Sequence, residues 1–470
     1  MTAQDKYSRY TIWCILMYAL IITGWHLTYG SVSYMEAMNI FTGRQVLSGN
    51  FGFEPLMNLG SSLIQPPLAA IGDAAGGLYG ARAVSMLFGI ALTWIIYLTA
   101  GILFTEKKGR LSALLFLFTG TAVFVSVSAT GDIIAAFFLG ISFYLILLSE
   151  KKQSAILLLA GASALFLASV TKYIAVIYLL SFLVFVFWRF PLLRALVFFF
   201  LPLAALLSLY GTLVLYPAME SVIRSYLTTY QQIPFPVPDA AGWNLQWVEM
   251  PYLLAIFGMF HKEKGKDAIM LTIFSTPIFL LYFLNGTEQS IDKNMIFSLV
   301  FLIHAAALGV DHMGSLFSSN VPASWVKPFF TTAVLIVIWV FGIKQIAWFE
   351  QQYANLTPVI TFLQQKGHNG MTVVLDSSAR YQDYVYRYSL EKQFPSARFI
   401  PAPFNDNDKR DEVLAAAQPD FVIFNEFYVG TYFWKVPIYY YDKGFALVNE
   451  FRLPFWTGIQ NVNILRGGNA

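Results

Sequence analysis

Long apolar runs separated by short charged turns fill the first three quarters of the chain. Charge-poor runs of about 17–25 residues match the length of helix that crosses a hydrocarbon core of roughly 30 Å. They fall near Thr11–Thr28, Ala83–Thr105, Leu111–Ser128, Ile133–Leu148, Ser154–Val170, Ile174–Trp188, Ala195–Tyr216, Pro251–Phe260, Ala268–Leu284, Met295–Val310 and Phe329–Ala347. Pro251–Phe260 is the shortest. Lipid offers backbone amides no partner, so each run must form a helix. After Ala347 the pattern changes: charged residues return, and Met371–Asp376, Arg398–Pro401 and Phe421–Phe424 read as strands between the helical stretches Ala379–Phe394 and Lys409–Gln418. Strand and helix in alternation predict a small α/β sheet, with Phe445–Phe451 and Ile459–Leu465 as two further edge strands. The expected fold is therefore mainly α: a polytopic membrane bundle of about eleven spans over residues 1–347, a long polar loop at 29–82, and an α/β domain over residues 348–470.

Composition supports the membrane reading, since 57% of residues are hydrophobic and the mean hydropathy is +0.59, against a usual apolar share of about 45–50% in soluble domains. The first run is not a cleaved signal peptide, because further spans follow it. Lys6 and Arg9 precede it, and the clusters EKKGR (106–110), EKK (150–152), RFPLLR (189–194) and HKEKGKD (261–267) fall at alternate turns. Basic turns face the cytoplasm, so the amino terminus is expected inside. The opposite, extracytoplasmic face then receives the 29–82 loop, the turns holding Asp132 and Lys172, the loop before Lys293, and everything after Ala347. A net charge of +3 with no basic, aromatic-interleaved stripe gives no support to nucleic-acid binding. One cysteine, Cys14, excludes an intrachain disulfide, and the five histidines lack metal-ligand spacing. The turn LDSSARY after the first C-terminal strand has no glycine-rich phosphate loop.

The loop between the first two spans holds AMNIFTGR (Ala37–Arg44), then Pro66-Pro67-Leu68, then Ala81-Arg82 at the mouth of the second span. Asp132 opens the fourth span, and Thr171-Lys172-Tyr173 precedes the sixth. In this order the segments resemble the GT-C superfamily of membrane glycosyltransferases, most of all its protein O-mannosyltransferase and aminoarabinose-transferase branch. The resemblance covers roughly Thr11–Leu213; the later spans agree by topology alone. It implies a polyprenyl-phosphate-linked sugar donor, a lipid, glycan or protein acceptor on the extracytoplasmic face, inversion at the anomeric carbon, and a carboxylate base. In the family that base is an Asp four to five residues ahead of the tyrosine that begins the loop helix. Here Tyr29 or Gly30 stands at that place. A phenol titrating near 10 is no base at neutral pH.

Glu36 lies about two helical turns beyond Tyr29 on the same face and is the first candidate for the missing acid. Its ordinary alternative is a solvated residue on an interfacial helix. Glu54, in NFGFEP, is the second candidate. Asp132 has two readings: with Glu36 it would hold a divalent cation, the one cofactor considered, or it caps the fourth helix after Thr130-Gly131. Lys172, Arg82 and Lys293, at extracytoplasmic span ends, are candidates for the donor phosphate. Snorkelling is the ordinary alternative for Lys172, and anchoring to lipid headgroups explains Arg82 and Lys293 equally well. The missing loop acid also suits a protein that binds or presents lipid-linked glycan without catalysis. A transporter fits less well, because no pair of Gly/Pro-broken segments repeats in two halves.

Overall fold

The computed structural model describes residues 3–27, 32–49, 64–216, 246–285, 291–320, 324–351, 356–377, 382–402, 407–426, 440, 443, 445–455 and 458–467. The chain divides into two compact units, Met1–Thr28 with Thr42–Ile346, and Tyr29–Phe41 with Ala347–Ala470. In chain order the helices are α1 (Ala3–His26), α2 (Tyr34–Leu47), α3 (Gln65–Leu103), α4 (Glu106–Phe118), α5 (Gly120–Val127), α6 (Gly131–Lys152) and α7 (Ala155–Thr171). A 3-10 turn, Tyr173–Tyr178, leads into α8 (Leu179–Arg189) and then α9 (Leu192–Val214). They continue with α10 (Glu249–Met259), α11 (Gly265–Ser275), α12 (Pro277–Asn285), α13 (Ile291–Asn320), α14 (Val326–Gln351) and α15 (Thr357–Lys366).

The apolar runs of the sequence are helical, although Leu111–Ser128 is divided between α4 and α5 and Ala268–Leu284 between α11 and α12, and the protein is a multi-pass membrane protein. By length and composition, six helical stretches among the described residues are able to cross a membrane, Gly265–Phe283 across α11 and α12 among them, or seven if the bent pair α4–α5 is one span. The other runs lie on shorter helices, so the count of eleven is not fixed by length. Local breaks explain why. Residues Gly76 (φ −152°, ψ 23°) and Gly77 (φ 64°, ψ −153°) fold α3 back on itself. Its arms touch at Gly72 and Gly80, where a Cβ on Gly72 would stand 2.6 Å from the Gly80 carbonyl oxygen. In a straight helix these residues would be about 12 Å apart. Between α4 and α5 the helix bends by 71° at Thr119. The backbone groups released there are satisfied by side chains, as lipid demands: Gln345 Oε1 accepts from the Gly120 N–H at 2.9 Å, and Thr119 Oγ1 donates to the Phe116 carbonyl at 2.7 Å.

Helix α13 is the centre of the membrane unit, with 89% of its apolar window buried. A helix that is apolar on all sides belongs inside a bundle. Phe301 packs edge-on to Phe143 at 5.4 Å and to Phe182 at 6.0 Å, joining α6, α8 and α13. Against α10 the approach is closer still, because Gly258 and Gly309 face each other and a Cβ on Gly258 would meet the backbone of Ala305 and Gly309. Small residues at such a crossing let two backbones pack in van der Waals contact.

The second unit contains a five-stranded sheet. Its strands are β1 (Thr372–Ser377), β2 (Arg398–Pro401), β3 (Phe421–Glu426), β4 (Phe445–Phe455) and β5 (Gly458–Gly467), in the order β2-β1-β3-β5-β4. Strands β1, β2 and β3 are parallel, connected through α16 (Gln382–Gln393) and α17 (Asn407–Ala417), while β5 runs antiparallel to both β3 and β4. The expectation of two added edge strands needs correction, since β5 is interior and only β4 lies at the edge. Its buried residues Val462, Ile464 and Leu465 account for that place. Near the end of β1 the buried Asp376 ties down α17, with Arg410 Nε 3.2 Å from its carboxylate, and accepts from the Tyr440 hydroxyl.

The α10–α13 crossing generates a test. Gly309→Leu should lower stability by about 1–3 kcal/mol or prevent folding, because overpacking forces the backbones apart. Gly211→Leu, with open space around it, should leave the melting temperature in detergent unchanged. Equal effects at the two sites would show that the close crossing is not what stabilises α13.

Candidate functional site

Helices α6 and α7 form an antiparallel hairpin, fastened by Ser142 Oγ donating to the Gly161 carbonyl at 2.8 Å and Ser149 Oγ donating to the Ser154 carbonyl at 2.6 Å. The first turn of α6 therefore lies beside the last turn of α7. Lys172 follows that last turn in extended conformation, and its Nζ forms an ion pair with Asp132 Oδ1. Asp132 is fully buried and Lys172 is 9% exposed. Asp132 lies inside the first turn of α6, where the helix dipole favours an anion. The cap position itself belongs to Thr130. The capping role considered for Asp132 is thus replaced by an ion pair.

The first turn of α13 completes the cluster. Lys293 and Asp292 are about 5% and 4% exposed and stand within electrostatic reach of both Asp132 and Lys172. Asp292 Oδ1 accepts from the Lys293 backbone N–H at 2.8 Å. Next to them Asn294 Nδ2 donates to the Tyr282 hydroxyl on α12. A snorkelling lysine keeps its ammonium at the protein surface. These two ammoniums are held inside the protein, so snorkelling does not describe them.

A separate set of charges marks the other end of the bundle. Arg189 contacts Glu150 at 3.2 Å and Asp267 at 3.7 Å, which brings the EKK, RFPLLR and HKEKGKD turns together. On α13, Asp311 pairs with Lys108 and, at 2.8 Å, with Lys327. Lys293 and Asp311 are separated by about 27 Å of helix, so the buried Asp132–Lys172–Asp292–Lys293 quartet and these surface pairs occupy opposite ends.

The remaining candidates make other contacts. Arg82 is buried and donates through its guanidinium to the Leu27 carbonyl at 3.0 Å, tying α3 to the end of α1. Glu36 belongs to the second unit and forms half of a capping box. Its Oε2 accepts from the Ser33 N–H at 2.9 Å, while the Ser33 hydroxyl accepts from the Glu36 N–H at 3.2 Å. Ser33-x-x-Glu36 is the sequence signature of that motif, so this role was open to reading beforehand. The structure also corrects the picture of a solvated Glu36, for the residue is fully buried. Glu54, Tyr29 and Gly30 lie outside the described residues. Among the described residues no three His, Cys, Asp or Glu side chains gather as metal ligands, and Asp132 Oδ1 is held by the Lys172 ammonium while its Oδ2 has no hydrogen-bond partner.

Two functional candidates escaped the sequence reading, Asp292 and Asn294. The signal was present: an ionisable pair, Asp292-Lys293, at the mouth of an apolar helix is costly in lipid and marks a site by default.

The chain is similar in fold to two crystal structures of ArnT from Cupriavidus metallidurans. The apo form aligns with a TM-score of 0.62 at 13% identity, covering 98% of each chain. The form bound to undecaprenyl phosphate gives 0.60 at 12% identity, covering 96% of this chain and 97% of that one. The chain carries the GT-C fold. A more distant GT-C structure, the oligosaccharyltransferase AglB from Archaeoglobus fulgidus with an inhibitory peptide and a dolichol-phosphate, aligns with a TM-score of 0.53 at 10% identity over 90% of this chain and 70% of that one. Residues 69–216 match the dolichyl-phosphate-mannose-protein mannosyltransferase family. That stretch of the GT-C fold contains Arg82, Asp132 and Lys172, and leaves Glu36 and Lys293 outside. No curated protein sequence matches the chain.

Breaking the buried pair separates its stability role from any other. Asp132→Ala alone should cost about 3–5 kcal/mol, because an uncompensated ammonium is left inside. Asp132→Leu with Lys172→Met should regain most of that loss. Urea unfolding in detergent reads both, and a double variant no more stable than Asp132→Ala would show that the pair's charges are not what sets the cost.

Proposed function

We propose that the protein moves a sugar from a polyprenyl-phosphate-linked donor to a hydroxyl-bearing acceptor on the extracytoplasmic face of the membrane, with the amino terminus cytoplasmic. The observation that carries this reading is the pair of buried lysines, Lys172 and Lys293, at one end of a GT-C bundle. Buried ammoniums gathered at one end of the bundle supply the donors that an anionic phosphate takes. In the reaction the acceptor oxygen attacks the anomeric carbon from the face opposite the phosphate. The carbon–oxygen bond to the phosphate breaks, and the polyprenyl phosphate leaves with the electron pair. Lys172 and Lys293 stabilise the charge that develops there, the larger electrostatic contribution in such sites. Arg82 stands as a third candidate for the same phosphate.

The acceptor's proton goes to a carboxylate, a contribution on the order of 10²–10⁴ in rate. Glu36 is proposed for this role, with Glu54 second. Its capping box makes the test cleaner, because Gln serves at that position of the box as well as Glu. Glu36→Gln should keep the melting temperature and donor affinity and lower kcat about a hundredfold or more. Wild-type turnover in Glu36→Gln would remove Glu36 from the mechanism. A second reading, non-catalytic binding of lipid-linked glycan, is favoured by one observation: Tyr29 or Gly30 stands where the family carries its acid.

Reconstitution in proteoliposomes with a panel of polyprenyl-phosphate sugars tests the proposal directly. Lys293→Ala should weaken binding of undecaprenyl phosphate by about 10–150-fold, the worth of a charged hydrogen bond, and Lys293→Arg should recover part of it. Unchanged affinity in Lys293→Ala would sink the phosphate assignment. Wild-type binding without transfer of any sugar would favour the second reading.

A further inference from the structure

Both carboxylates of the buried quartet leave one oxygen, Oδ2, without a hydrogen-bond partner among the described residues, but Asp132 pairs directly with Lys172 through its other oxygen and Asp292 has no such ion pair. Its Oδ1 accepts a backbone N–H, whereas Oδ2 is buried and has no hydrogen-bond partner among the described residues. An unanswered buried carboxylate oxygen costs more than a neutral acceptor in the same place. The hydrogen bond to the Lys293 N–H does not need a carboxylate, for an asparagine would accept it as well. The side chain is within electrostatic reach of both Lys172 and Lys293, so it borders the place where the donor phosphate would lie.

We infer that Asp292 binds the donor's sugar by accepting a hydrogen bond from a ring hydroxyl or amino group. The inference rests on the proposed function and follows from the covalent structure of the donor. The anomeric carbon is joined to the phosphate through one ester oxygen, so lysines that hold the phosphate fix the sugar ring close beside it. The ring must meet whatever polar groups border those lysines. Asp292 Oδ2 is an acceptor without a donor, and a sugar edge supplies donors. A lysine-bound phosphate with no sugar would leave that oxygen unanswered. The carboxylate thus makes the site choose the loaded carrier over the spent one, which is the discrimination that product release requires.

The test compares affinities of the full-length protein in nanodiscs for bare undecaprenyl phosphate and for undecaprenyl phosphate carrying mannose, glucose or aminoarabinose. Wild type should bind at least one loaded form more tightly than the bare one. Asp292→Asn keeps an acceptor for the Lys293 N–H and removes the charge; it should weaken binding of the preferred loaded form about tenfold or more, while the affinity for bare undecaprenyl phosphate does not fall, because losing a carboxylate near the lysines takes no partner from the phosphate. Asp292→Ala should do the same where it folds, as judged by its melting curve. If bare and loaded affinities fall together, Asp292 only positions the lysines and the inference is wrong. A preference unchanged in Asp292→Asn, or absent in wild type, also overturns it while leaving the phosphate site intact. Wild type that fails to bind bare undecaprenyl phosphate would instead remove the proposed function, and the inference with it.

Discussion

The ion pair between Lys172 and Asp132 fixes how the helix ends of the membrane unit meet, because charges this deeply buried cost several kcal/mol each unless they are answered. The pair settles which turns must be neighbours: the start of α6, the end of α7 and the start of α13 come together. Formal charges in the quartet sum to zero, two ammoniums against two carboxylates. That balance is incomplete in detail, since Asp132 takes a lysine directly, Asp292 takes only a backbone N–H, and each leaves one oxygen unanswered. A site neutral in sum yet unsatisfied in part is stable enough to fold and still able to take a ligand.

Interruptions in the helices follow from the same need. Chain that turns inside a membrane bundle must find partners for its amides, and here each break brings its own. Gln345 answers Gly120, and Gly76–Gly77 reverse α3 where only glycine reaches φ 64° without strain. The paired small residues at the Gly258–Gly309 crossing let α13 approach α10 closely enough to stay central. Packing through backbones leaves the ends of α13 to carry side-chain chemistry, Asp292 and Lys293 at one end and Asp311 at the other.

Much of this was legible in the chain. Apolar runs marked helices because lipid leaves no other backbone solution, and the C-terminal strands were placed almost residue by residue, Arg398–Pro401 among them. Asp132, Lys172 and Lys293 were singled out as charges at span ends, and the fold brings all three together. What the sequence did not reveal was pairing. Period-two alternation cannot say that β5 lies inside the sheet, since register depends on which strand it meets. Lys172 could be read as snorkelling because nothing in the sequence shows that its partner lies forty residues earlier, across a hairpin. Asp292 went unremarked because its neighbour Lys293 carried the expected charge.

Glu36 shows where a local rule and a chemical one overlap. The Ser33 capping box explains a Glu or a Gln at that position equally well. Burial does not treat them equally, for a carboxylate is far costlier to remove from water than an amide, and Glu36 is fully buried. Helix capping alone would therefore select the cheaper glutamine. That a glutamate stands here instead is a physical argument that its charge is used, either by a cationic partner or by a proton, and it is independent of any likeness to known glycosyltransferases.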